Sequence, residues 1–144
     1  MFQTLHRLRR PLLALLSALS LSLALALPAL ACTVAGPPSA TNAATIATSI
    51  SNGHAYTKHS GEFVKGVVIA GLAFPNATIA SKGAFATFLQ PIISSGATNK
   101  ALSSNRHAFW DTSTGTVVIF NPGASDCGTA FRPTNGQAYY TALK

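Results

Sequence analysis

The chain has 144 residues, 48% of them hydrophobic, and its ten Lys and Arg against three Asp and Glu give a formal net charge of +7. So few carboxylates set aside glycosidases and carboxylate-bound metal sites, which need two or more acids converging on one place. If the domain is an enzyme, its chemistry should come from His, Lys, Arg, Thr and Tyr.

At the N-terminus His6, Arg7, Arg9 and Arg10 precede an uncharged apolar run from Pro11 to Leu27, and Pro28-Ala29-Leu30-Ala31 follows. This order of basic, apolar and small-residue segments predicts a secretory signal over residues 1–31 and a secreted or periplasmic product. The apolar run overlaps the length of a membrane anchor, but Ala29-x-Ala31 favours cleavage. Removing 31 of 144 residues leaves 113, which suits one domain with one core. Seven basic and three acidic residues remain, a net of +4 that suits an anionic partner such as RNA or a membrane surface.

Cleavage after Ala31 puts Cys32 first, and two fates compete for its sulfur. One is a lipid anchor, although the residue three before the cysteine is Ala29 where lipoproteins normally carry Leu. The other is a disulfide with Cys127, the only other cysteine, in an oxidising compartment.

Residues 33–40, with Gly36, Pro37, Pro38 and Ser39, read as a flexible lead-in. Thr41 to Ser60 predicts a helix with Ala44, Ile46, Ile50 and Ala55 on its apolar side, capped by Thr41 or Asn42 and bent near Gly53. Residues 32–52 thus form a lead-in and first helix ahead of a catalytic unit over 53–144. Glu62 to Ala73 is a short strand or an apolar loop. A second helix is expected from Thr78 to Ile93, with Ile79, Phe85, Phe88 and Leu89 toward the core and an end or kink just before Pro91. The second half turns to β-like runs. Arg106–Asp111 and Thr116–Phe120 flank a turn and predict a hairpin, Thr129–Arg132 offers a third strand, and Tyr139 to Leu143 is the final segment. Helices first and a meander of about four antiparallel strands afterwards make an α+β fold, with the helices on one sheet face.

His54, Lys58 and His59 are the densest polar cluster, and positions 54 and 58 share a helix face. A neighbouring cation favours the neutral imidazole that a general base requires. A metal site would need His54 and His59 to converge with His107 or Asp111. Their separation on a helix turns them apart and no His-Glu-x-x-His pattern is present, so no metal is expected. Arg106 and Arg132, both in expected strands, could hold a phosphate through two hydrogen bonds. Thr129 offers a hydroxyl at the same surface, and Tyr139 and Tyr140 offer phenols or stacking rings. Strand alternation sends Phe109 and Trp110 to opposite faces, so at most one of them meets a ligand.

The string Gly53-His54-Ala55-Tyr56-Thr57-Lys58-His59, then Glu62-Phe63, Asn105 to Asp111, Thr114 to Ile119 and Gly128 to Pro133, resembles the toxin domains of bacterial secreted and polymorphic toxins. Specifically, it is similar to the ribonucleases of the barnase, EndoU, colicin and RelE-like superfamily. The similarity spans residues 53–140 as spacing and motif order. It implies helices ahead of an antiparallel sheet and RNA cleavage without metal or cofactor, the ribose 2′-hydroxyl attacking the adjacent phosphate. By the same resemblance His54 is the base or acid with Lys58 and His59 in support, Arg106 contacts the phosphate and Thr129 bonds it. Arg132, Tyr139 and Tyr140 would bind substrate, and an inhibitor protein would guard the producing cell. Such domains often end a very long delivery protein, whereas this chain carries its own signal. The competing expectation is a non-enzymatic exported binding module or lipoprotein.

Overall fold

The computed structural model describes residues 32–34, 36–95 and 98–144, and the expected signal lies outside them. The Ala- and Ile-rich stretch forms α1, Ala43–Asn52. Ala43, Ile46, Ala47 and Ile50 are all fully buried, the i, i+3, i+4, i+7 stripe of an amphipathic helix. Ala44, expected on this stripe, is exposed. Asn42 occupies the N-cap position without capping the helix. Its Oδ1 accepts from the Ser39 N–H at 2.7 Å and its Nδ2 donates to the Pro37 carbonyl at 3.0 Å.

The bend expected near Gly53 separates α1 from the short helix α2, His54–His59, which runs into a 3₁₀ turn at Ser60–Phe63. A two-stranded ribbon follows, β1 Val68–Ile69 and β2 Leu72–Ala73. Helix α3, Lys82–Ser94, starts later than expected because Ser81 caps it, accepting from the Ala84 N–H at 3.1 Å. Ile79 is buried ahead of the helix, where its N–H donates to the Phe63 carbonyl. Pro91 neither ends α3 nor stops it short, and the helix continues to Ser94. Pro91 and Thr87 are both exposed, so the carbonyl that loses its donor faces solvent.

Helix α1 packs on α3 through Phe85, Leu89 and Ile93. Each fully buried side chain of this size contributes roughly 1.5–3 kcal/mol. Phe63, Phe74, Phe85 and Phe88 meet at tilted and edge-on angles between the helices and the ribbon. Val34 and the α1 residues belong to the same buried cluster as the second half of the chain, so residues 32–52 are part of the domain and not a lead to it.

The sheet is an antiparallel meander in the order β3 Asn99–Ala101, β4 His107–Asp111, β5 Thr116–Phe120 and β6 Gly128–Phe131. Its fourth strand is the polar Asn99–Ala101 ahead of the expected hairpin. The final segment is a helix, α4 Gln137–Ala142. Phe109, Val118 and Ala130 lie in register and join the core with the helices. By alternation Trp110, Val117 and Phe131 point the other way, and α4 covers them, Tyr140 stacking on Trp110 and Tyr139 meeting Phe131 edge-on. Helices therefore lie on both sheet faces. The turn of the hairpin is closed by Asp111, which accepts from the Ser113 N–H and from both the Ser113 and Thr114 hydroxyls.

Cys32 and Cys127 are joined by a disulfide across 95 positions, as befits an oxidising, non-cytoplasmic compartment. A sulfur in that bond cannot also carry a lipid thioether. Among the described residues no helix is long and apolar enough to cross a membrane.

Candidate functional site

The site begins where α1 hands over to α2. Gly53 has no side chain, and a Cβ there would overlap the Asp126 Cβ and lie 2.7 Å from its Oδ2. Only glycine lets that carboxylate approach the start of α2. Asp126 sits in the loop from Asn121 to Cys127, between β5 and β6. The loop turns back through Cys127, φ 62°, and Gly128, φ 127°. A side chain at residue 128 would collide with the Ile119 carbonyl.

Two histidines of α2 are each held by a carboxylate. His54 Nδ1 lies 2.6 Å from Asp126 Oδ2, and its backbone N–H points to the same oxygen at 3.4 Å. Asp126 Oδ1 accepts from the Gly128 N–H at 3.3 Å. Partial burial pushes the Asp126 pKa upward, but the hydrogen bonds from the His54 ring and from the Gly128 and His54 backbones outweigh it and hold the carboxyl below its ordinary 3.8. An ionised carboxylate only accepts hydrogen bonds, so Nδ1 is the donor, and Nε2 has no partner among the described residues. The His54 side chain is 52% exposed, which leaves Nε2 open to a substrate.

His59 is arranged alike but faces inward. Its Nδ1 lies 2.7 Å from Glu62 Oε1, while Glu62 Oε2 accepts from the Arg132 N–H at 2.6 Å. Its ring stacks on Phe131 and is only 15% exposed. Helix α2 thus runs beside β6, tied at its start to Asp126 and at its end to Phe131. Lys58 stands exposed one turn after His54 and makes no hydrogen bond or ion pair among the described residues.

The other expected site residues lie elsewhere. Arg106 donates to the Ser103 carbonyl and hydroxyl and to the Lys144 main-chain oxygen. It is at the same end of the sheet as the Asp126 loop, but β5 intervenes and no contact joins it to His54. Arg132, expected to bind substrate, is 2% exposed. Its Nε donates to Thr114, Nη1 to Glu62 and Val67, and Nη2 to Leu72, all carbonyls. Burial lowers its pKa, opposed by the Glu62 carboxylate. The residue is a structural staple in place of a phosphate ligand, its one guanidinium joining four carbonyls, of which that of Val67 also accepts from the Phe74 N–H. Tyr139 is committed to Phe131, and Tyr140 is sandwiched between Trp110 and the Lys100 ammonium, burial raising its pKa. Neither ring offers a free platform for a base. The Thr129 hydroxyl is buried with no partner among the described residues.

Asp126 and Glu62 are the functional residues that sequence reasoning missed. Glu62 is three positions after His59, a spacing that places two side chains on one helical face. No local spacing announces Asp126, 72 positions from its partner.

Chemically, a carboxylate-held imidazole with a free Nε2 is a general acid–base group. No hydroxyl or thiol hydrogen-bonds to either α2 imidazole among the described residues. The nucleophile for such a site is therefore water or part of the substrate. Groups of three His, Cys, Asp or Glu side chains able to hold a metal are not found among the described residues. A separate cleft of about 560 Å³ lies between α3 and the β4–β5 hairpin, lined by Phe88, Ile92, Trp110 and several hydroxyl side chains. The Trp110 Nε1 donor is buried without a partner among the described residues. Compared with known proteins, the chain matches no family model, no curated protein and no solved structure.

Proposed function

We propose that the exported domain is a metal-independent endoribonuclease of toxin-like character, with His54 as its acid–base residue. The observation that carries this reading is the 2.6 Å contact of His54 Nδ1 with Asp126 while the ring is half exposed and, among the described residues, no hydroxyl or thiol bonds to it. RNA supplies its own nucleophile. His54 Nε2 takes the proton of a ribose 2′-hydroxyl, whose oxygen attacks the adjacent phosphorus. The bond from phosphorus to the 5′ oxygen breaks, that oxygen takes a proton, and a 2′,3′-cyclic phosphate remains. Lys58, on the same side of α2, is the cation nearest in sequence to meet the charge developing on phosphate. Arg106 is a second candidate from the same sheet end. A toxin-like enzyme would have an inhibitor protein as its partner in the producing cell.

The test is incubation of the exported, disulfide-bonded protein with total RNA in EDTA. Cleavage ending in 2′,3′-cyclic phosphate is expected, and His54→Ala should lower it by about 10²- to 10⁴-fold. No cleavage of any RNA by the wild type would remove the reading. A second reading, an exported binding module, is favoured by the cleft between α3 and the β4–β5 hairpin, which Trp110 lines beside several hydroxyl side chains. Trp110 is the chain's only tryptophan, so its fluorescence would shift on ligand binding there and stay unchanged with RNA held at α2.

A further inference from the structure

We infer that the Cys32–Cys127 disulfide is the latch that keeps Asp126 where it orients His54, so that reducing this one bond releases the pair while the domain stays folded. The consequence for activity rests on the ribonuclease reading; the consequence for geometry does not. Cys127 directly follows Asp126 and has φ 62°, with Gly128 at φ 127° after it. A side chain in the left-handed region is sterically disfavoured, and such a conformation persists only where its surroundings impose it. Two side-chain ties fix the loop to the body of the domain, the disulfide and the Asp126–His54 pair. Its remaining hydrogen bonds run within residues 121–128: Asn121 N–H to Cys127, Ala124 N–H to Asn121 and Cys127 N–H to Ala124 carbonyls, Gly123 N–H to Asn121 Oδ1, and Gly128 N–H to Asp126 Oδ1. These shape the loop at the end of the β5–β6 ladder, and none of them reaches α2.

The elements that hold the domain together do not pass through Cys32. The α1–α3 contact, the phenylalanine cluster, the sheet ladder and the Arg132 staple all lie within residues 43–132. Cys32 is half-buried, whereas Cys127 is 1% exposed. A dithiol therefore reaches Cys32 first. Its thiolate attacks the Cys32 sulfur and the S–S bond breaks. Cys127 leaves as a thiolate and takes a proton, and the second thiol of the reagent then displaces Cys32 as it becomes a cyclic disulfide. Chain made in a reducing compartment carries an unlatched loop and an unheld His54, and it becomes competent after oxidation outside.

The experiment compares the full exported protein when oxidised, when reduced with dithiothreitol, and as the Cys32→Ser/Cys127→Ser double variant. The readout is the downfield proton NMR signal of the imidazole Nδ1–H groups, assigned through His54→Ala and His59→Ala. Oxidised protein should show both signals. Reduction should abolish the His54 signal and keep that of His59, whose Glu62 partner lies outside the loop, with far-UV circular dichroism unchanged. Gly53→Ala should abolish the same signal with the disulfide intact. RNA cleavage should fall at least tenfold on reduction and return on reoxidation. A His54 signal that survives in the reduced protein and the double variant would overturn the inference, as would loss of both signals with unfolding. Oxidised protein that cleaves no RNA defeats the ribonuclease reading alone, and the NMR comparison then still decides the latch.

Discussion

Replacing Arg132 by Lys keeps the charge and removes the fork, which makes it a direct test of how the end of β6 is built. The guanidinium makes four hydrogen bonds of 2.7–3.0 Å to the carbonyls of Glu62, Val67, Leu72 and Thr114. It also lies over the Phe74 ring, 5.4 Å from its centroid. A lysine ammonium carries three N–H groups on one atom, so at least one carbonyl loses its donor and the others are met at poor angles. One unsatisfied buried acceptor costs about 1–3 kcal/mol, and with the misaligned bonds the expected loss is roughly 2–4 kcal/mol. At about 4 °C per kcal/mol for a domain slightly over 100 residues, Tm should fall by roughly 8–16 °C. The assay is thermal unfolding with the disulfide intact, together with hydrogen exchange. The Gly66 and Phe74 amides, which close the ribbon through Phe74 and Val67 carbonyls, should exchange faster. A Tm within about 3 °C of wild type, with those amides unchanged, would refute the staple.

Gly53→Ala should leave the helices intact yet displace the Asp126 carboxylate; RNA cleavage should drop, by less than in His54→Ala because the imidazole remains, while Tm changes little, and full activity would disprove the close approach. Asp126→Asn should lower cleavage less than His54→Ala, because the imidazole remains and only its orientation is lost; equal loss would mean that Asp126 acts on substrate itself. The Asp126 pKa is lower in the folded chain than its ordinary 3.8, so its contribution to stability is present above about pH 4 and lost as pH falls through the folded value. Acid titrations of wild type and Asp126→Asn should therefore converge at low pH, and a gap that widens there would contradict the sign. His59→Ala should cost more stability than His54→Ala, since its ring is stacked on Phe131 and nearly enclosed; the two melting curves decide this.

Local patterns determined a good part of this protein by themselves. The stripe of Ile46 and Ile50 marked α1, Gly53 marked the bend, and the alternating run from Arg106 to Phe120 with its polar turn marked the central hairpin, because hydrophobic period and turn chemistry act between near neighbours. Two cysteines in a chain with an expected secretory signal pointed to the bond that joins Cys32 to Cys127. The polar strand Asn99–Ala101 escaped because it lies at the sheet edge, held by backbone pairing with β4 and by Lys100 donating to the Thr141 and Leu143 carbonyls, ties that no apolar alternation announces. Roles were harder to read than elements. Arg106 and Arg132 are the same residue type, one directly before β4 and the other directly after β6, and only the ribbon carbonyls brought to the end of β6 turned Arg132 into a buried staple. His54 was visible as a candidate base, but the carboxylate that orients it arrives from 72 positions away, through a disulfide-held loop and the space left by one glycine. Tertiary structure alone decides such a pairing, because the distance between two side chains far apart in sequence is set by the fold and by no local rule.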